Sequence, residues 1–405
     1  MLNRRTMLKM LATLPFMGGV AGSNAIRKVS GEKLARPGYN RDFFTELGVK
    51  PFINAWGTIT AKSGSLMHPE VIEAYNYASQ QFVDLNELQD KVGERIAEML
   101  NCEAAMVTAG AASAMTLGAA ACITGKDQEK IRALPNLPGQ QLEVIIQDTH
   151  RFGYDHAVRN TGVKMVEVNG PREMEEAINE KTVMMLFFNA AGEHSVSREQ
   201  FVEIGQRNNV PTFIDAAADV PPVENLFKYI EMGFDLVTFS GGKAIRGPQS
   251  AGLLFGRKDL LEAARLNTVP HSNTIGRGMK VNKEEILAMM VALEKYLERD
   301  HEKDWEEWEN RVALIDEAVS SVESVETDHY VFPVANHVPH LSIKWDQEII
   351  NITPPKLREN LENGYPSIVT FGGDESVEVS VFMMQQEEVG IVAKRLKEEL
   401  EMALM

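Results

Sequence analysis

Lys243 and Asp215 are the residues of this chain on which covalent chemistry can be built. Lys243 closes Ser240-Gly241-Gly242-Lys243, a turn that leaves an apolar run ending at Phe239. A lysine amine becomes nucleophilic and forms Schiff bases when desolvation or nearby positive charge lowers its pKa. The small residues before it leave room for a planar ring to approach the backbone. Alone, the segment also reads as a surface lysine after a glycine turn. Asp215 ends the run Val210-Pro211-Thr212-Phe213-Ile214 and precedes Lys243 by 28 positions. A helix over 223–232 and a strand over 235–239 fit between them as one crossover unit, so both residues leave the sheet at the same edge. A carboxylate there can pair with a protonated pyridine nitrogen, although helix capping or metal binding also suits an isolated Asp.

Two further segments join them. The run 104–107 leads into Thr108-Ala109-Gly110-Ala111-Ala112-Ser113-Ala114 and then an alanine-rich helix. Strand, glycine turn and helix N-terminus together present free N–H groups and a positive dipole end to a phosphate. Tight helix packing explains the alanines equally well. The strand over 142–147 exits through His150-Arg151, where an imidazole can stack on an aromatic ring or serve as a core histidine.

The elements that must position these groups follow from the texture of the chain. Short apolar runs at 104–107, 144–146, 164–168, 183–188, 212–214, 236–239 and 252–255 alternate with helical segments such as 172–179 and 198–207. Buried strands alternating with helices predict a largely parallel sheet covered on both faces, with active residues at the strands' carboxyl ends. Helices are expected at 69–85 and 88–100, before the sheet begins. After Lys280, residues 282–322 read as one long helix, with Trp305 and Trp308 as packing residues. A smaller α+β unit follows: strand 340–345, helix 354–362, strands 367–371 and 377–382, and helix 386–400. The expected organisation is a signal at 1–25, an arm at 26–69, a large domain at 70–280, and the long helix with a small domain at 281–405.

The order of phosphate turn, ring-stacking His, strand-end Asp and lysine resembles the fold-type I pyridoxal phosphate (PLP) enzymes. The motifs FINAWGTITAKSGS (52–65), VTAGAASA (107–114), QDTHRFGYDHAVRNTG (147–162), IDAAADVPP (214–222) and FSGGKAIRGPQSAG (239–252) resemble their selenocysteine-synthase-like branch, which includes D-glucosaminate-6-phosphate ammonia-lyases. The resemblance implies an α/β fold: a three-layer α/β/α domain on a mainly parallel seven-stranded sheet, plus a small C-terminal α+β domain. It implies PLP carried on Lys243, Asp215 on the pyridinium, and His150 stacked on the ring. Ser240 and the Thr108 turn, through the Gly110, Ala111 and Ala112 amides, would hold the phosphate. It also implies a homodimer or higher homo-oligomer, since sites in this family lie between subunits.

The chain departs from the branch in two ways. No tRNA-gripping domain precedes residue 45, and 58 acidic against 41 basic residues give a net charge of −17. Nucleic acid is therefore not the expected partner; a small amino acid or amino sugar acid is. Between Arg358 and Lys394 there is no Lys or Arg, so an arginine grip from the small domain is missing. Arg246 and Arg277 lead as substrate-binding cations, with Arg151 and Arg159 behind them. With only Cys102 and Cys122, a disulfide scaffold and a structural zinc cluster are excluded, and no metal is expected.

At the N-terminus, Arg4-Arg5-Thr6-Met7-Leu8-Lys9, a short apolar run and small residues to Ala25 resemble a twin-arginine export signal. The expectation is a periplasmic protein with no membrane segment once the signal is removed. The expected reaction is α,β-elimination releasing ammonia and a 2-oxo acid. Transamination, racemisation or a selenium-transferase-like reaction are the alternatives, and a non-catalytic binding protein is the reading from outside enzymes.

Overall fold

The structure is a computed structural model that describes residues 41–139 and 141–404. The proposed signal at 1–25 lies outside the described residues. The chain divides after Lys50 into two compact units. In the first, the described residues hold a short helix, Phe43–Leu47, capped by Asp42 accepting from Thr45 N–H at 3.0 Å.

The second unit carries the sheets. Its strands are β1 (Phe52–Asn54), β2 (Ala104–Thr108), β3 (Glu143–Gln147), β4 (Lys164–Val168), β5 (Thr182–Phe188), β6 (Thr212–Asp215), β7 (Leu236–Ser240), β8 (Gly252–Gly256), β9 (Val325–Val331), β10 (Pro339–Trp345), β11 (Ser367–Val369) and β12 (Val377–Ser380). The central sheet has seven strands in the order β2-β8-β7-β6-β5-β3-β4. Every pairing is parallel except the two made by β8, which runs against both β2 and β7. Phe187, Phe188, Phe213, Phe239 and Phe255 are fully buried on these strands, as expected of a sheet covered on both faces. This is the mainly parallel α/β architecture expected from the sequence.

The expected single helix over 282–322 is two helices, Lys283–Leu297 and His301–Ser320. Asp300 ends the run by capping the second helix, accepting from Lys303 N–H at 3.1 Å. Arg299 then reaches forward to grip both oxygens of Asp304 at 2.6 and 2.7 Å. A side chain that satisfies free amides at a helix start outweighs the propensity to continue. The same cause stops the helix expected over 69–85 at Ser79: Asp84 caps Leu85–Leu100, accepting from the N–H groups of Asn86 and Glu87.

Toward the C-terminus, β12, β10 and β9 form an antiparallel sheet, and β1 pairs in parallel with β11. Residues 52–54, expected within the N-terminal arm, are thus joined to a strand more than three hundred positions later. Helix Lys283–Leu297 packs on helices Pro69–Ser79 and Leu85–Leu100, which ties residues on both sides of 280 into the same unit. Among the described residues, no helix is long and apolar enough to cross a membrane.

Candidate active site

Register brings the separate sequence segments together. Thr108 of β2 and Ser240 of β7 both pair with Gly252 of β8, so the three residues lie abreast across the sheet. On the next strand, Asp215 pairs with Thr238. A Cβ on Gly252 would come within 2.7 Å of Gly110 C and 2.8 Å of Ala111 N. Its bare backbone is what lets the start of helix Gly110–Thr124 sit against β8, next to Ser240. The N-cap of that helix is Ala109, which has no side-chain acceptor, so the first-turn amides have no cap. Uncapped amides at a helix start suit an anion.

The glycines before the lysine serve packing. A Cβ on Gly241 would meet Met289 Sδ at 2.2 Å, and one on Gly242 would meet Gln249 Cα at 2.4 Å. The room expected for an approaching ring is taken by the loop folding onto itself. Lys243 is half-buried; burial lowers its pKa, while Asp215 and Asp219 act to hold its proton. Asp215 is 9% exposed, and its Oδ1 accepts from Ala217 N–H at 2.9 Å. Burial raises its pKa, while the Ala217 amide and Lys243 oppose the rise. A half-desolvated amine, a buried carboxylate at the same sheet edge and an uncapped helix start beside a strand-end serine form a donor set that fits PLP.

His150 sits differently from the ring-stacking role expected of it. It is 0% exposed, with its ring edge-on to Phe187 at 4.7 Å and to His194 at 5.0 Å. Phe188 N–H donates to its Nδ1 at 3.1 Å, and its Nε2 lies 2.9 Å from His194 Nδ1. Burial, and then the positive charge His194 and Arg198 would add, push its pKa down to about 3. A neutral imidazole enclosed in this way offers no open face to a cofactor ring.

Two of the expected cations are already engaged. Arg151 pairs with Asp155 at 2.5 Å and with Glu167, and Arg159 pairs with Asp155 at 2.8 Å. A guanidinium held by two carboxylates is already engaged, so Arg151 is corrected from substrate ligand to partner of the buried Asp155 and of Glu167. Arg246 is different. It adopts φ +57, an unfavourable backbone for a side chain of this size, and its Nε donates to Leu66 O at 2.7 Å. Among the described residues it has no carboxylate within ion-pair distance, and burial followed by Arg299 holds its pKa down to about 10. Arg277 lies exposed on its glycine turn.

A network missed in the sequence runs beside these groups. Asn189, at the exit of β5, donates to Asp219 Oδ2 at 2.6 Å and to Tyr229 Oη at 2.9 Å. Tyr229 donates to the same Asp219 oxygen at 3.0 Å. Burial raises the Asp219 pKa to about 6. Arg198 Nε donates to Asn189 Oδ1 at 2.5 Å and extends the network toward His194. The available signal was a polar cluster, Asn189 to Arg198, at a strand exit on the edge already carrying Asp215.

The fold and this edge define the class: fold-type I PLP-dependent enzymes. At the level of fold, a solved structure of SPT holding PLP superposes with a TM-score of 0.55 at 10% identity, covering 87% of this chain and 88% of that one. The chain belongs to the L-seryl-tRNA selenium transferase (SelA) family, whose profile matches residues 53–322. It is 27% identical over 376 residues to the D-glucosaminate-6-phosphate ammonia lyase of Salmonella typhimurium, covering 88% of this chain and 97% of that protein. A solved structure of D-glucosaminate-6-phosphate ammonia-lyase matches with a TM-score of 0.78 at 25% identity, covering 90% and 100%. A 5'-C-glycyluridine monooxygenase-decarboxylase from a Streptomyces species is 30% identical over 276 residues, covering 64% and 67%.

Proposed function

We propose that this protein is a PLP-dependent lyase that converts a β-hydroxylated amino acid or amino sugar acid to ammonia and a 2-oxo acid. The observation that carries the reading is the convergence of Lys243, Asp215 and the uncapped helix start at one sheet edge. Similarity along 97% of an ammonia lyase supports the reaction type. Lys243 would hold the cofactor, Asp215 would face its ring nitrogen, and Ser240 with the amides of Gly110, Ala111 and Ala112 would hold its phosphate. When bound, PLP supplies an electron sink for charge developing at the substrate Cα.

The chain's own groups then divide the proton work. The Lys243 amine, its pKa lowered by burial, takes the Cα proton. The departing β-hydroxyl is a poor leaving group and needs an acid. His150 is neutral and enclosed and Arg151 is committed to carboxylates, which leaves Lys243, now an ammonium, as the donor. The hydroxyl leaves as water, and water then releases the nitrogen as ammonia. No external acceptor is consumed.

Arg246 remains a candidate for an anionic substrate group, with Arg277 beside it in the proposal. A homodimer is supported by the exposed apolar side chains Leu66, Ile72, Tyr77, Phe82 and Val83 along residues 66–83. Export to the periplasm rests on the arginine pair and apolar run of residues 1–25. The test of the reaction is a screen of β-hydroxy amino acids and 3-hydroxylated amino sugar acids with no keto acid added. Ammonia and 2-oxo acid should appear in equal amounts. Ammonia release only with an added amino acceptor, or build-up of the cofactor's amine form, would replace elimination by transamination.

A further inference from the structure

Asp215 is aimed by a turn whose hydrogen bonds run in one direction. Ala217 N–H donates to its Oδ1 at 2.9 Å. The carbonyl of the same peptide group, Ala216 O, accepts from Asp219 N–H at 3.1 Å. The carbonyl of that second group, Ala218 O, accepts from Asn336 N–H at 2.9 Å. Two peptide groups are thus threaded head to tail between Asn336 and the carboxylate, and each bond in such a chain polarises the next. Ser240 N–H holds the peptide group between them, donating to Ala217 O at 3.2 Å. Among the described residues Asp215 Oδ2 makes no hydrogen bond, so it is the oxygen available to a bound group.

The donor at the head of this relay comes from the loop between β9 and β10, far along the chain. Ala335 and Asn336 there have φ +55 and +47. Asn tolerates the left-handed region but Ala does not favour it, and two such residues in succession persist only where their surroundings fix them. Val338 N–H closes the loop on Asn336 O at 2.8 Å, and Thr58 Oγ1 donates to Asn336 Oδ1 at 2.7 Å. Thr58 is buried and its approach is itself held. Asn54 Oδ1 accepts from the N–H groups of Trp56 and Gly57, both at 3.0 Å, while Ala55 bonds to Val369 of β11 and to Ser380 of β12. The backbone bond that the strained pair delivers outside its own loop goes to Ala218 O.

We propose that Asn336, fixed by Thr58, is a positioning residue for Asp215: through the two peptide groups it sets the direction in which the carboxylate presents Oδ2 to the cofactor's ring nitrogen. The inference rests on the proposed function in giving Asp215 that nitrogen. A loosened Asn336 frees the Ala218 carbonyl, the peptide planes can then tilt, and Asp215 turns with the amide it is bonded to. A carboxylate's hold on a ring proton is directional, so a tilt weakens it without removing the charge.

The test uses the full chain loaded with PLP whose pyridine nitrogen is isotope-labelled, so that its resonance reports the ring proton directly. In wild type the ring nitrogen should be protonated, and Asp215→Asn should move the resonance toward the unprotonated position. Thr58→Val, equal in shape but without the donor, should move it the same way and less far. It should also lower kcat by about five- to tenfold with KM changed by less than about twofold. Thr58→Ser keeps the hydroxyl and should restore both readings. Asn336→Gly keeps the left-handed backbone and the N–H but not the acceptor, so it should match Thr58→Val and carries the test if that variant fails to fold. The double variant should lose no more than either alone, because each removes the same bond. A resonance that moves in Asp215→Asn and stays at wild type in Thr58→Val and Asn336→Gly overturns the proposal alone, whatever their melting temperatures. Losses that add in the double variant, or a Thr58→Ser loss equal to that of Thr58→Val, also overturn it. A wild-type protein that takes up no PLP, or holds it with an unprotonated nitrogen, overturns the reading of Asp215 on which the proposal rests, and that failure is told apart because it needs no variant.

Discussion

Replacing Asp215 with Asn isolates a single charge. The amide keeps an oxygen where Oδ1 accepts from Ala217 N–H at 2.9 Å, so the local turn has no reason to move. What is lost is a carboxylate that is 9% exposed at the sheet edge shared with Lys243. Opposite unit charges about 4 Å apart attract by about 4 kcal/mol at an effective dielectric constant of about 20. Burying the carboxylate offsets part of that gain, which the raised pKa of Asp215 records. If about two-thirds of the attraction acts on the charge developed during reaction, the barrier rises by about 2.7 kcal/mol, or about a hundredfold in rate. The assay is kcat for ammonia release at saturating substrate, with cofactor absorbance and melting temperature measured in the same samples. A variant that loads cofactor fully and stays within about threefold of wild type would refute the electrostatic argument. Asp219, buried one turn later, would then be the carboxylate to test.

The covalent assignment predicts that borohydride reduction followed by peptide mapping places the cofactor label on Lys243; a label on Lys228 or Lys258 refutes it. Lys243→Ala should lose turnover even where cofactor remains bound, because the group that moves the substrate proton is gone. His150 predicts a pH dependence of stability. Its folded pKa of about 3 lies below the ordinary 6.5, so above that value it is neutral in both states and contributes no slope. As pH falls from 6.5 toward 3, the unfolded chain takes up a proton that the folded one refuses, and stability drops by about 1.4 kcal/mol per pH unit. His150→Gln should flatten denaturation midpoints by that one proton between about pH 6.5 and 5, and parallel profiles for the two proteins would remove His150 as the cause. The export proposal predicts that Arg4→Lys with Arg5→Lys keeps the protein in the cytoplasm; undiminished periplasmic recovery would remove the twin-arginine reading.

The strands of the central sheet were legible because burial on both faces writes each as an unbroken apolar run, as in Val183–Phe188 and Leu236–Phe239. Their carboxyl ends were legible for the same reason, and with them the edge on which Asp215 and Lys243 meet. What the sequence hid was pairing at a distance. β1 is only three residues long, and its partner begins at Ser367, so no local period marks it. β9 carries a run of polar residues along a partly exposed sheet edge, so no apolar pattern marks it as a strand. Local signals were also passed over. Asp155 stands four residues from both Arg151 and Arg159, the spacing at which helical ion pairs form, and that spacing foretold that neither arginine would be free.

The groups at the exits of β3 and β5 were hidden for a deeper reason. No property of His150, His194 or Arg198 taken singly indicates that they meet. A buried histidine, a loop histidine and a helix-start arginine are ordinary. Their contacts arise only from the fold: Phe188 N–H donates to His150 at 3.1 Å, and His194 and Arg198 follow outward at 2.9 and 3.3 Å. Side-by-side strand ends make that sequence of contacts possible, since β5 pairs directly with β3. The same sheet that reads plainly as apolar runs therefore builds, at its edge, a charge and proton arrangement that no linear pattern encodes. Gly252 works in the same way on the other side of the edge. As a residue it is one glycine among thirty, yet its missing side chain admits the start of helix Gly110–Thr124 to within contact of β8. The proposed phosphate seat depends on that approach more than on any side chain in the turn.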